Sequence, residues 1–160
     1  MYQYSFANTD LLLSVPTADG VYNNLKVTGF ATGENLINIM RRAPIATVQF
    51  SAYGDMITSM QRIKAGDLTF PVLMSAPENK ILQDYANYYQ SLADGDGELV
   101  NPIHATLVDN MGNDEAKLRN GVILAIPAMS RGQTMNTVTW VLTFESTTFT
   151  RDNGGDAEQI

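Results

Sequence analysis

Residues 137–150, TVTWVLTFESTTFT, read as a strand. Val138, Trp140, Leu142 and Phe144 occupy every second position, and Thr139, Val141, Thr143 and Glu145 fill the gaps. Successive side chains of a strand point to opposite faces, so this run is a half-buried antiparallel strand with one packed and one wetted side. The rest of the chain has to supply the sheet around it.

The same grammar recurs upstream. Tyr2, Tyr4 and Phe6 alternate with polar residues, and DLLLSV (10–15) is a short apolar run before the turn signal PTADG. LKVTGF (25–30) and NLINIM (35–40) flank a loop at ATGE. In IATVQFSA (45–52), Ile45, Thr47 and Gln49 share one face and Ala46, Val48 and Phe50 the other. The stretch NLINIM–RRAP–IATVQF therefore predicts a long hairpin over 35–52. LTFPVLMS (68–75) is β-rich, but Pro71 lacks a ladder donor and belongs on an edge strand or at a bulge. PIHATLVD (102–109) and DEAKLRN (114–120) flank NMGN as a further hairpin, and GVILAIPA (121–128) is continuous and apolar, hence buried on both faces or against a neighbour. The count is roughly eight strands.

One helix is expected. Ser75-Ala-Pro-Glu78 matches a capping box, with Pro77 in the first turn, where its missing N–H costs little. Ile81, Leu82, Tyr85, Tyr88, Tyr89 and Leu92 then recur at helical spacing as an apolar stripe, and DGDG (94–97) ends it.

Composition bears on partners. A chain of 160 residues is expected to form a single domain, 1–160, with 152–160 a loose tail. Only 17% of residues are charged, against roughly 25% in ordinary soluble domains. Uncharged surface hidden by other subunits accounts for this, as does a weakly charged monomer. The net charge of −7 argues against a nucleic-acid binder, which needs cations against phosphates. Arg41, Arg42, Arg62 and Lys64 make 41–64 locally basic and read as ion-pair partners, solvated or between subunits. There is no cysteine, hence no disulfide and no thiolate metal site. The amino terminus lacks a basic leader region, and no run approaches the ~20 apolar residues of a membrane span. The chain reads as soluble, cytosol-made and not membrane-inserted.

No catalytic constellation emerges. His104 lies in a strand pattern without a G-x-S-x-G elbow, so a half-buried structural histidine is expected. Asp94, Asp96 and Glu98 resemble a calcium loop, but its sixth and twelfth positions hold Leu99 and Ala105. Asp114 and Glu115 are strand neighbours pointing to opposite faces. Tyr85, Tyr88 and Tyr89 suggest a sugar platform, yet beside Ile81 and Leu82 they read as core. No catalytic, cofactor-binding or metal residue is assigned, and the protein is not expected to be an enzyme.

The order of pieces points elsewhere. Met56–Met60, then Lys64-Ala-Gly66, Leu68-Thr-Phe-Pro71 and Val72 to Asn79 spell a hydrophobic M-x-x-S segment followed by K-A/S-G-x-x-T-F/V-x-V-L-x-x-S-P-x-N and a helix. This phrase resembles the tail-tube proteins of contractile-tailed bacteriophages, and the likeness extends over about residues 4 to 150. Pro71 and Ala76 depart from the commonest spelling. The resemblance implies a mainly β fold with one helix (α+β), an antiparallel β-sandwich or barrel whose strands join an inter-subunit ring barrel. It implies hexameric rings stacked into a tube, with sheath, tape-measure and baseplate proteins as partners. Double-stranded DNA would pass the lumen without specific binding during ejection, and the protein would reside in the virion tail. The pair 35–52 is the expected barrel wall, and PTADGVYNN (16–24) and RRAP are the expected contacts between rings. A net negative bore is expected, with Arg41, Arg42, Arg62 and Lys64 facing neighbours. The alternatives are another tube-like tail, baseplate or secretion component, and a monomeric β-sandwich binding module.

Overall fold

The structure is a computed structural model that describes residues 6–17, 21–31, 36–93, 101–110 and 114–151. A short 3-10 turn, Phe6–Asn8, leads into β1 (Thr9–Pro16), β2 (Tyr22–Lys26), β3 (Asn38–Arg41), β4 (Ala46–Phe50), β5 (Met56–Met60) and β6 (Gly66–Leu73). The helix α1 (Glu78–Ala93) follows, then β7 (Ile103–Asp109), β8 (Glu115–Ala125) and β9 (Thr137–Thr150). Seven strands form one antiparallel sheet in the order β2-β1-β7-β8-β9-β6-β3, while β4 and β5 pair only with each other.

The central strands behave as their alternation requires. On β9, Trp140, Leu142 and Phe144 are fully buried. Facing strands add Leu68, Phe70 and Val72 from β6 and Leu11, Leu13 and Val15 from β1. Leu82, Tyr85 and Ala86 of α1 close over this core, the helix lying against β1. The sheet curls because residues 27–31 leave β1 and reach β6: Val27 N–H donates to Leu11 O at 2.9 Å, and Leu73 N–H donates to Gly29 O at 2.8 Å. Phe30 bridges Val72 on the way. The fold is thus barrel-like at that end, with the outer edges of β2 and β3 unpaired among the described residues.

Several expectations are corrected. The 35–52 hairpin does not form: β3 pairs with β6 and β4 with β5, so the RRAP segment separates two sheets. The loop expected over 16–24 is in part strand, since Tyr22 to Lys26 register against Leu12 to Pro16. DEAKLRN and GVILAIPA are one strand. Asn120 adopts φ 59° there, an αL residue inside a β7–β8 register shift, so Asn120-Gly121 makes a bulge where a turn dipeptide is the local reading. Gly121 is needed at this place because an added Cβ would sit 2.4 Å from the Phe144 ring. Pro71 lies within β6, between β9 and the irregular 29–31 segment, and its carbonyl accepts from Ala31 N–H at 3.2 Å. A proline is tolerated because regular β3 pairing stops at Thr69.

The capping box is replaced by a longer-range joint. Glu78 is buried, and its Oε1 accepts from Thr28 N–H at 2.9 Å instead of returning to Ser75. Ser75 Oγ donates to Met135 Sδ at 3.6 Å. The local lock is Asn79, whose Nδ2 donates to Leu73 O at 2.8 Å and Met74 O at 3.1 Å. Its Oδ1 accepts from the Trp140 indole at 2.9 Å. The acidic DGDG turn, residues 111–113 of the NMGN turn and the tail 152–160 lie outside the described residues.

Candidate assembly surface

The two-stranded sheet is an arm standing off the body. Antiparallel partners share a face, so the register Ala46↔Met60, Val48↔Thr58 and Phe50↔Met56 puts most of the apolar side chains, Ile57 excepted, on one side. Thr47, Gln49, Ser59 and Ile57 make the other side. The apolar side is bare: Phe50 is 69% exposed, Met56 61% and Met60 87%. At the tip Ser51 N–H donates to Asp55 O at 2.8 Å, and Gly54 takes φ 90°, a conformation that favours glycine. A lone two-stranded hairpin is marginal in water, and an uncovered apolar face is a surface waiting for a partner.

The base of the arm is fixed firmly. Thr147 is fully buried, and its N–H and Oγ1 both donate to Lys64 O, at 2.9 and 3.0 Å. Arg41 Nη2 donates to Thr147 O at 2.6 Å and Nε to Thr147 Oγ1 at 3.1 Å, with its guanidinium over the Phe149 ring. Arg42 Nε contacts Asp67 Oδ1 at 2.8 Å and Nη2 donates to Thr143 Oγ1 at 3.2 Å. Arg41 and Arg42, expected to face neighbouring subunits, make these bonds within their own chain, holding the limb that enters the arm. Arg62 and Lys64, on the returning limb, are exposed.

Among the described residues, the remaining candidates are held in separate places. His104 is half-buried, stacked on Tyr22 at 5.9 Å, and its Nδ1 accepts from Asn120 N–H at 3.3 Å. Burial, helped by the nearby Arg119 charge, lowers its pKa. Tyr85 is buried and its phenol pKa is driven upward by that burial. Tyr89 is 39% exposed, against the expectation that it packs inward, because the helix turns that position toward solvent. Asp114 and Glu115 border one open groove with Asp109, yet no cluster among the described residues is suited to a metal ion. Asp94, Asp96 and Glu98 fall outside the described residues. No helix among them is long and apolar enough to cross a membrane. What sequence reading missed was β5. Met56 to Met60 was visible only as a hydrophobic segment, although its M-I-T-S-M pattern mirrors the face of β4.

Comparison with known proteins decides what such a surface belongs to. The family model of the bacteriophage PhiTE tail tube protein matches residues 1–149. The chain belongs to this tail tube family. As a family member it is a structural component of the phage tail, and the tail-tube type of antiparallel β fold with one helix is the one observed. The fold is also that of the sheath/tube terminator of an extracellular contractile injection system in its extended state (PVC), with a TM-score of 0.55 at 9% identity over 94% of this chain and 98% of that one. The tube-terminating cap of the anti-feeding prophage gives 0.50 at 10% identity, covering 94% and 93%. No curated protein sequence matches this tail tube family member.

Proposed function

We propose that the chain is the self-assembling subunit of a bacteriophage tail tube: hexameric rings, stacked into a hollow tube, form the passage for DNA ejection into the host. The observation that carries this reading is the arm, a stapled β-hairpin whose apolar face has no cover among the described residues. The outer edges of β2 and β3, unpaired among the described residues, support it, because an unpaired edge is a template for a strand of another copy. Membership of the tail tube family favours an identical copy as that partner.

The DNA follows from charge. A subunit of net charge −7 gives a duplex few cations to bind, so a net negative bore lets it slide. The chain is made in the host cytoplasm and acts in the virion, contacting sheath, tape-measure and baseplate proteins along or at the ends of the tube. A second reading, a component that ends a tube instead of building it, is favoured by the fold shared with a sheath/tube terminator.

Negative-stain imaging of the purified chain separates these readings. Tubes of uniform bore support the subunit, and isolated rings that never stack support the terminator. A dispersed monomer at high concentration overturns both.

A further inference from the structure

Two surfaces leave the body at opposite ends of β6. The arm emerges at the Gly66 end, where Arg42 N–H donates to Ala65 O at 3.0 Å. The other end, at Leu73 and Met74, opens into a groove of about 490 Å³. Strand β6 is eight residues long, about 26 Å at ~3.3 Å per residue. One wall of the groove is the start of α1, with Asn79, Lys80 and Gln83, and the other is the segment 127–131. Thr137 to Trp140 of β9 form its floor.

This groove has three properties that the arm matches. It is partly apolar, with half-buried Val138 at the floor and Met129 on the rim, 84% exposed. Its floor has a free strand edge: the β8 ladder reaches β9 only at Ala125↔Val141, so Thr137 to Thr139 lack a β8 partner among the described residues. A free edge of this kind accepts an added strand through backbone hydrogen bonds. Its charge is positive, for Lys80 and Arg131 border it, no carboxylate does, and neither cation makes an ion pair among the described residues. The arm, residues 45–61, carries a single charged side chain, Asp55 at its exposed tip.

We propose that this groove receives the arm of a second copy of the chain, the apolar face of β4–β5 against the groove and Asp55 between Lys80 and Arg131. The proposal rests on the tube reading and names its acceptor surface. Arm and groove are different patches at opposite ends of one molecule, so the contact is head-to-tail. Each copy therefore keeps a free arm and a free groove until a ring closes or a stack extends. An arm-to-arm contact would instead be self-complementary and stop at two copies.

The absence of cysteine allows a clean test. Full-length chains carrying Ala52→Cys and Ser130→Cys, both at exposed positions, are mixed in equal amounts, allowed to assemble, and treated with a short bismaleimide. The expected product is a covalent dimer of one of each, at least tenfold more abundant than either variant linked to itself. Asp55→Lys should lower the assembled fraction, and Lys80→Glu with Arg131→Glu in the same chain should restore it. Assembled tubes without the mixed product, a predominance of Ala52→Cys self-links, or failure of the charge reversal to rescue would each overturn the proposal while leaving the tube reading standing. Failure of the unsubstituted chain to assemble at all would overturn both.

Discussion

Asn79 holds the passage from β6 into α1 with a single amide. It donates to the carbonyls of Leu73 and Met74 and accepts from Trp140, tying strand end, helix start and β9 together. Asn79→Ala removes these bonds and leaves a buried indole N–H without its acceptor. The expected loss is about 2–3 kcal/mol, given ~1 kcal/mol per ordinary hydrogen bond and more for an orphaned buried donor. Urea denaturation followed by fluorescence measures it, since Trp140 is the sole tryptophan. His104 sets a second residue-scale expectation. Its pKa is held below the ordinary 6.5 by burial and then by Arg119, and its Nδ1 acts as an acceptor from Asn120, which requires the neutral ring. As pH falls, the unfolded chain therefore takes up this proton first, so stability declines below about pH 6.5 and the decline ends under the folded value. His104→Gln should flatten that part of a profile of urea midpoint against pH, and an unchanged profile would remove His104 from the account.

At the scale of elements, the arm is the part whose surface chemistry and stability pull in different directions. Phe50→Ser with Met60→Ser alters only exposed side chains, so circular dichroism and Trp140 fluorescence should match the unsubstituted chain. Association should weaken roughly a hundredfold or more, because each large apolar side chain contributes about 1.5–3 kcal/mol when buried. Sedimentation velocity over a concentration series reads this directly. The contrast between β9 and the arm also marks how far the sequence could be read. The alternation of Val138, Trp140, Leu142 and Phe144 and the helical spacing of Leu82 and Tyr85 are local patterns, and both elements stand where that reading puts them. Pairing partners are not local. Asn38 to Met40 and Ala46 to Phe50 read as two limbs of a hairpin, but β6 offers Leu68 and Thr69 as partners for β3 while β5 claims β4. Ser75 and Glu78 have capping-box spacing, yet Thr28, 50 residues away in sequence, takes the carboxylate. The bare arm face was legible as a split of β4 into two faces; its exposure was not, because nothing in a single chain's pattern separates a strand that packs on its own core from one that packs on another copy.

For the whole molecule, the parts combine into a body with a curled sheet, edges at β2 and β3 that are unpaired among the described residues, and an arm and a groove at opposite ends of β6. Few charges, 17% of residues, suit a protein that covers much of its surface with copies of itself. Cryo-electron microscopy of the purified, assembled chain tests this most directly. The account predicts subunits repeating around a hollow, net negative axis, with Phe50, Met56 and Met60 of every arm covered by a neighbouring copy. A reconstruction of isolated particles, or of an assembly in which those three side chains still face solvent, would contradict it.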